Sequence, residues 1–273
     1  MKYWVQLFSA CILITLMPER GSSNEVKSDI ITIAGTGDSQ LLLRELSHQF
    51  ETFVSDKKII IKIPDSVGSS GGLKALRTKR VTLARTARAL NENEKKNGFQ
   101  EYQFAHSPIV FAVHPSVKGI KNLNHEQIIG IYNRTFRNWN ELGGPKQPIY
   151  PIQRERGDSS RSVLEKKFSD FPSVREVKIY YSTPETALAL TEHKYTIGYL
   201  PLYIAQAHNL KIISYNGIKP TEKNVLLGYY NLVSPFYIVS NGNPSGSVKT
   251  FMNFLRSNPA KKMIRKFGAI PVL

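Results

Sequence analysis

The stretch 149–167, IYPIQRERGDSSRSVLEKK, contains the local pattern that predicts the fold of this chain. The apolar alternation of residues 149–152 predicts a strand with Arg154 at its carboxyl end. Residues 157–160 form a small polar turn, and the apolar spacing that follows predicts a helix from about Ser160. Such a turn leaves several backbone N–H groups unpaired and pointing the same way. Because the helix dipole and Arg154 both add positive potential, this turn is a candidate anion site.

The same unit of strand, polar turn and helix occurs twice more. The strand at 29–34 leads into the turn 35–39, and the strand at 59–63 leads into the glycine-rich and serine-rich turn 68–72. Strands that alternate with helices predict open α/β sheets, whose ligands bind at the carboxyl ends of the strands. We therefore expect the three turns to converge on one ligand. The hydroxyl groups that these two turns offer include those of Thr36, Ser39 and Ser69.

Length and composition indicate an ordered protein of two domains. A chain of 273 residues with 41% hydrophobic and 10% aromatic residues can bury a large core. The one cysteine is Cys11, in an N-terminal segment that we expect to be removed. The mature protein would then have no disulfide and no thiolate chemistry.

Residues 1–23 have the pattern of a secretory signal. Lys2 precedes an apolar run over residues 3–17, and cleavage is expected after Ser23. This run is shorter than the roughly 20 residues of a membrane-spanning helix. The alternatives are an uncleaved membrane anchor and a lipid-modified Cys11, although Cys11 lies in the middle of the apolar run. We expect a periplasmic or secreted protein.

The charge of the chain favours an anionic ligand. The formal net charge is +16, and such a field attracts anions. The basic residues are scattered and do not alternate with aromatic residues, so we expect no nucleic-acid partner. The six histidines lack metal-ligand spacing, and no Gly-x-Ser-x-Gly elbow occurs. We therefore expect no metal, no cofactor and no enzymatic activity.

From about Ile30 to its C-terminus, the chain resembles the phosphate-binding proteins of bacterial ABC importers, a family of two-domain periplasmic binding proteins. The resemblance rests on the order and spacing of many landmarks, since any single one would be unspecific. These landmarks are the turns 35–39 and 68–72, residues 86–90, the segment 123–144 with Asn138-Trp139 near its end, residues 154–161, Ile197-Gly198-Tyr199, residues 229–239 and Gly268-Ala269-Ile270-Pro271.

The resemblance implies a fold and a function. The fold is two open-sheet α/β lobes joined by crossover strands, with the ligand in the cleft between the lobes. Residues 24–112 and 230–273 would form lobe one, and residues 113–229 would form lobe two. Hinge motion would close the cleft. The implied function is that of a monomer that captures inorganic phosphate for the membrane permease of an ABC importer.

Carried over position by position, the resemblance implies ligand contacts from both lobes. Arg154 matches the arginine that pairs with phosphate, and its planar fork suits bidentate contact with an oxyanion. Arg88 matches an arginine of the third loop. Further implied contacts, through hydroxyl or amide groups, are Ser39, Ser69, Gly157, Ser159 and Ser160. Thr36 and Asp158 lie in the same turns and are candidate contacts as well.

Two positions depart from the family pattern. This chain has Ala87 where the best-defined members have an acidic proton acceptor, and Asp158 where they have serine. A buried carboxylate that accepts a hydrogen bond from a phosphate O–H rejects sulfate, which has no proton to donate. We expect Asp158 or Asp38 to supply that acceptor, unless Asp158 merely caps the following helix.

The candidate residues also have structural interpretations. Ser39, Ser69 and Ser160 could each be simple helix N-caps. The arginines Arg154 and Arg88 could be exposed, or paired with Glu155 or Glu92. The alternative function is that of a secreted basic protein on the same scaffold, which binds another oxyanion or a polyanionic surface without transport. The high positive charge and the altered third loop keep this alternative open.

Overall fold

The computed structural model describes residues 28–54, 59–168, 171 and 177–272, which form a mixed α/β fold with an open sheet. The strands are β1 (Asp29–Gly35), β2 (Ile59–Lys62), β3 (Leu83–Thr86), β4 (Phe99–Val113), β5 (Asn122–Leu123), β6 (Tyr150–Arg154), β7 (Lys178–Tyr180), β8 (Thr196–Pro201), β9 (Lys211–Tyr215), β10 (Val233–Asn241) and β11 (Ile270–Pro271). The α-helices are α1 (Gln40–Phe53), α2 (Gly68–Arg77), α3 (Glu92–Lys96), α4 (His125–Tyr132), α5 (Ser159–Lys167), α6 (Thr183–Glu192), α7 (Leu202–Ala207), α8 (Glu222–Leu226), α9 (Gly246–Leu255) and α10 (Asn258–Lys266).

The expected signal segment, residues 1–23, lies outside the described residues, so it stays a prediction. Among the residues that the structure describes, no helix has the length and the apolar character needed to cross a membrane.

The first lobe is built on the parallel strands β2, β1 and β3. Helix α1 follows β1 because its apolar residues recur at helical spacing, and Leu42, Leu46 and Phe50 are fully buried. They share a core with Ile31 and Ile33 of β1. Burial of each such side chain stabilises the fold by about 1.5–3 kcal/mol. This packing fixes the turn between β1 and α1 at the carboxyl edge of the sheet.

The helix after β2 begins earlier than the sequence predicts. Residues 68–72, which we expected to be a turn, form the start of α2. The reason is close packing, since a Cβ at Gly72 would lie 2.6 Å from the Cα of Gly35. Glycine therefore allows α2 to lie directly on β1, and this tertiary contact overrides the low helix propensity of glycine. As a result, Ser69 lies in the first turn of α2.

One long strand, β4, connects the two lobes. Residues 99–108 of β4 pair antiparallel with β10, whereas residues 109–113 pair antiparallel with β8. The second of these segments, from Ile109 to Val113, is buried. Strand β10 then lies between β3 and β4 in the first lobe. The lobe boundaries at 112/113 and 229/230 stay a prediction, and the change of partner between Pro108 and Ile109 is the feature of β4 that bears on them.

The second lobe contains the parallel strands β8, β6 and β7. Its core includes the rings of Phe111, Tyr132 and Tyr199, whose centroids are 5.8–6.5 Å apart. The prediction for residues 149–167 is confirmed, since β6 ends at Arg154 and α5 begins at Ser159. The polar turn between them therefore lies at the carboxyl end of a parallel strand, as the turn after β1 does.

Candidate functional site

The structure brings the three predicted turns together, and the carboxylate of Asp38 lies where they meet. Asp38 belongs to the first lobe and is fully buried. Its Oδ1 accepts a hydrogen bond from Thr183 Oγ1 at 2.7 Å, and its Oδ2 accepts one from Ser160 Oγ at 3.1 Å. Both donors belong to the second lobe, at the N-terminal ends of α5 and α6. Asp38 thus links the two lobes directly.

A second contact between the lobes joins two serines. Ser69 Oγ, in the first turn of α2, lies 3.2 Å from Ser159 Oγ, in the first turn of α5. Ser69 Oγ also accepts a hydrogen bond from the backbone N–H of Ala87 at 3.3 Å. The turn after β2 and the loop after β3 are therefore held against the turn that follows β6.

Arg154 supplies the positive charge of the site, and its side chain is buried. Its Nη1 donates to Thr183 Oγ1 at 3.0 Å, and its Nη2 lies 2.8 Å from Asp158 Oδ2. Glu155 approaches the Nε and Nη2 atoms at 3.3 and 3.4 Å. Burial alone would lower the pKa of Arg154, but the negative charges of Asp158, Asp38 and Glu155 outweigh it, so the pKa lies above its usual value. The expected pairing with Glu155 is confirmed.

Asp158 is both a helix cap and an ion-pair partner. Its Oδ1 accepts from the backbone N–H of Arg161 at 2.9 Å, so it is the N-cap of α5. Its Oδ2 faces Arg154. Burial, followed by the charge of Asp38, raises the pKa of Asp158 to about 7 in spite of Arg154. The capping interpretation is confirmed, whereas an acceptor role toward a ligand stays a prediction.

Asp38 titrates together with this group. Burial raises the pKa of Asp38, although the charge of Arg154 and the hydrogen bonds from Thr183 and Ser160 oppose the shift. Two carboxyl groups, Asp38 and Asp158, thus share one guanidinium in a buried environment. In such an arrangement the two groups take up protons as a pair rather than singly.

Ser39 occupies the N-cap position of α1, yet its hydroxyl does not cap the helix. Ser39 Oγ is buried and has no hydrogen-bond partner among the described residues. A buried hydroxyl without a partner costs about 1–3 kcal/mol, so this atom needs an explanation. The N-cap interpretation of Ser39 is wrong in this respect. Thr36, by contrast, accepts from the backbone N–H of Asp38 at 3.2 Å and supports the turn.

Arg88 is held by a different partner from those expected. Its two Nη atoms lie 2.8 Å from the two carboxylate oxygens of Glu94, and Nη2 lies 3.5 Å from Ser70 Oγ. The structural interpretation of Arg88 as a paired arginine is confirmed, but its partner is neither Glu92 nor Glu155. The contacts of Arg88 do not connect it with the Asp38 cluster.

Gly157 contributes backbone geometry to the site. Its φ angle is +84°, and a Cβ there would meet nothing within 4 Å. Glycine is therefore favoured by the left-handed backbone and not by lack of space. This conformation lets the chain turn sharply between Arg154 and Asp158.

Three residues of the site were missed by the sequence analysis. Thr183 lies between Arg154 and Asp38, and the Tyr203 hydroxyl donates to the backbone carbonyl of Asp38. The fully buried Arg85 donates to the backbone carbonyls of Ile33, Thr36 and Pro64. For Thr183 a local signal exists, because the following Pro184 and Glu185 are typical of a helix start.

Arg85 also adds positive charge beneath the first turn. Burial lowers its pKa to about 10, so it remains protonated at neutral pH. The hydrogen bonds to Thr36 and Pro64 are 2.7 and 2.9 Å long. In the sequence Arg85 stands inside a short apolar strand, and a charged residue at such a position is the only signal that could have identified it.

The arrangement is suited to holding a tetrahedral oxyanion. Four helices, α1, α2, α5 and α6, begin at the cluster, so their partial positive charges add to that of Arg154. The Thr183 hydroxyl lies beside that arginine, and hydroxyl groups of both lobes meet where Ser69 contacts Ser159. An open α/β sheet in two lobes, with such a cluster between them, defines the class of two-lobe solute-binding proteins.

The chain belongs to the PBP superfamily, because residues 20–259 match the family model of the PBP superfamily domain. It is 25% identical over 261 residues to the phosphate-binding protein PstS of Borreliella burgdorferi, a match that covers 91% of this chain and 92% of that protein. It is 24% identical over 257 residues to PstS of Bacillus subtilis, with 93% and 84% covered.

A solved structure supports the same relationship. The chain is similar, with a TM-score of 0.80 and 25% identity, to a crystal structure from Clostridium perfringens. That structure is of a protein assigned as a phosphate ABC transporter substrate-binding protein, with bound phosphate, and the match covers 90% of this chain and 100% of the other. The expected resemblance and the expected two-lobe α/β fold are confirmed.

Proposed function

We propose that this protein is an exported, monomeric solute-binding protein that captures inorganic phosphate between its lobes and delivers it to the permease of an ABC importer. The observation that carries the proposal is a buried site in which Arg154 binds the Thr183 hydroxyl and hydroxyl groups of both lobes meet at the contact of Ser69 with Ser159. The similarity to proteins named for phosphate binding, over about nine tenths of the chain, supports the same ligand. No catalytic step is needed for this function.

The proposed ligand contacts follow from what each side chain offers. The fork of Arg154 suits two phosphate oxygens, and Ser39 Oγ, which has no hydrogen-bond partner among the described residues, offers a donor for a third. Ser69, Ser159 and Ser160 offer hydroxyls near the first turns of α2 and α5. We propose backbone contacts at Gly157 and Asp158. Thr36 supports its turn, and Arg88 is left out of the set because Glu94 holds it.

Calorimetry with phosphate, sulfate and a larger polyanion tests this function, at a salt concentration of about 0.15 M, where exposed charges are screened. We expect one phosphate per chain and much weaker binding of sulfate. Arg154→Lys keeps the charge but loses the planar fork, so phosphate affinity should fall tenfold or more. Arg265→Lys, at an exposed arginine paired with Glu222, is the matched control and should leave affinity unchanged.

The result that contradicts phosphate capture is binding to polyanions alone that disappears as salt is raised. That outcome would favour the second candidate, a secreted basic protein that binds another oxyanion or a polyanionic surface. The charge of +16 is the observation that supports this candidate. Binding of phosphate with unchanged affinity in Arg154→Lys would instead show that the ligand binds elsewhere.

A further inference from the structure

The Asp38 carboxylate makes the contacts that an oxyanion ligand would make. One of its oxygens accepts from Ser160, a residue in the proposed ligand set, and the other accepts from Thr183, which in turn accepts from Arg154. A carboxylate and a phosphate present similar negatively charged oxygens to such donors. Asp38 therefore uses donors of the second lobe that the ligand would need.

The charges around Arg154 also indicate that a phosphate and the Asp38 carboxylate would compete for the site. Arg154 already faces the carboxylates of Asp158 and Glu155, with Asp38 as a third negative group close by. A phosphate that entered beside all of these would bring further negative charge close to the three carboxyl groups that already act on Arg154. Like charges in a buried environment repel strongly, so the ligand and the Asp38 carboxylate cannot both be accommodated without cost.

Because of its position in the fold, Asp38 also joins the two lobes. Asp38 lies between β1 and α1 of the first lobe, and its two side-chain contacts are with α5 and α6 of the second lobe. These hydrogen bonds bridge 122 and 145 positions of the chain. Together with the contact of Ser69 and Ser159, they hold the lobes against each other.

We propose that the Asp38 carboxylate is an intramolecular anion that occupies the oxyanion site, holds the two lobes together, and must be displaced before the ligand binds. The proposal takes the identity of the ligand from the proposed function. The contact between the lobes does not depend on that function. Asp38 is then a residue that lowers the affinity for phosphate and keeps the free protein closed.

The test compares Asp38→Ser and Asp38→Asn with an exposed aspartate of the same lobe as control, Asp65→Asn. Two labels report the distance between the lobes, one at Lys74→Cys in α2 and one at Lys166→Cys in α5, both at exposed positions. Because Cys11 is the one native cysteine, the full chain with Cys11→Ser can be labelled at these two sites alone. Calorimetry with inorganic phosphate gives the affinity of the same variants.

We expect the distance between the labels to be short in the wild-type background and in Asp65→Asn without phosphate, and longer in Asp38→Ser. We also expect Asp38→Ser and Asp38→Asn to bind phosphate at least tenfold more tightly than the wild type. Thr183→Val, which removes one donor to Asp38 from the second lobe, should lengthen the distance without tightening phosphate binding. This variant keeps the proposal testable if Asp38→Ser does not fold.

Each result that differs from these expectations leads to a different conclusion. Equal distances in the wild type and Asp38→Ser would overturn the proposal, whatever happens with phosphate. Unchanged or weaker phosphate binding by the Asp38 variants would overturn it too, and weaker binding would instead identify Asp38 as an acceptor for the ligand O–H. If Asp38→Ser opens the lobes but neither protein binds phosphate, the contact between the lobes is supported and the proposed function fails.

Discussion

The two turns that face each other across the site are built in different ways. In the second lobe, the charges close to the turn are paired locally, because Arg154 pairs with Asp158 and Asp158 caps α5. In the first lobe, the Asp38 carboxylate reaches the other lobe, and the Ser39 hydroxyl has no partner within the described residues. The charges of the second-lobe turn are thus paired within that lobe, whereas the charge of the first-lobe turn has its partners in the opposite lobe.

The difference extends to the arginine beneath each turn. The charge of Arg154 is balanced by carboxylates, whereas Arg85 donates hydrogen bonds to backbone carbonyls of the first lobe. A buried arginine that donates to carbonyls fixes the backbone around it. Because carbonyls are neutral, its positive charge is not balanced by these partners. Arg85 thus fixes the backbone of the first-lobe turn, whereas Arg154 lies against the carboxylates of the second-lobe turn.

The largest effect is expected for Arg85→Met. This change leaves the carbonyls of Ile33, Thr36 and Pro64 buried without their donor, so the free energy of unfolding should fall by about 3 kcal/mol or more. Arg88→Met is the control, because Arg88 is part of a half-buried ion pair and should cost about 1 kcal/mol or less. Denaturant titration of both variants measures the difference, and equal losses would contradict the role given to Arg85.

The next effect concerns pH. Because burial raises the pKa of Asp158 to about 7, the folded state holds its proton more tightly than the unfolded chain does. The unfolded chain releases this proton at lower pH, so stability should decrease as pH rises from about 4 to about 7. Asp158→Asn keeps a good N-cap without the charge and should flatten this dependence. Unfolding free energies measured across that range test it, and an unchanged slope in the variant would contradict it.

The smallest effect is expected for Ser39→Ala. Since Ser39 Oγ has no partner among the described residues, its removal should change the free energy of unfolding by less than about 0.5 kcal/mol or even stabilise the protein. Ser160→Ala removes the donor to Asp38 and should cost about 1 kcal/mol. Thermal unfolding compares the two variants. A clear loss of stability in Ser39→Ala would mean that its hydroxyl has a structural partner.

The sequence predicts most of the second-lobe turn because its determinants are local. The strand, the glycine at 157 and the helix cap at Asp158 all lie within a few residues of each other. The start of α2 was missed because the packing of Gly72 on Gly35 is a tertiary contact. Glycine-rich sequence favours a turn unless such a contact decides otherwise.

The hydrogen bonds between the lobes could not be predicted, because they too are tertiary contacts. Asp38 meets Ser160 and Thr183, which are far from it in the chain, and no local pattern states which hydroxyls face which carboxylate. Arg88 illustrates the converse. Its match to a family position suggested a ligand contact, but its guanidinium donates from both Nη atoms to the carboxylate of Glu94, six residues away.

The most direct test of the central claim is a crystal structure of the protein grown with phosphate. We predict phosphate between the lobes, bound by the Arg154 guanidinium and the Ser39 hydroxyl, with the Asp38 carboxylate moved away from Ser160 and Thr183. Phosphate bound elsewhere, with the contacts of Asp38 to Ser160 and Thr183 intact, would contradict it.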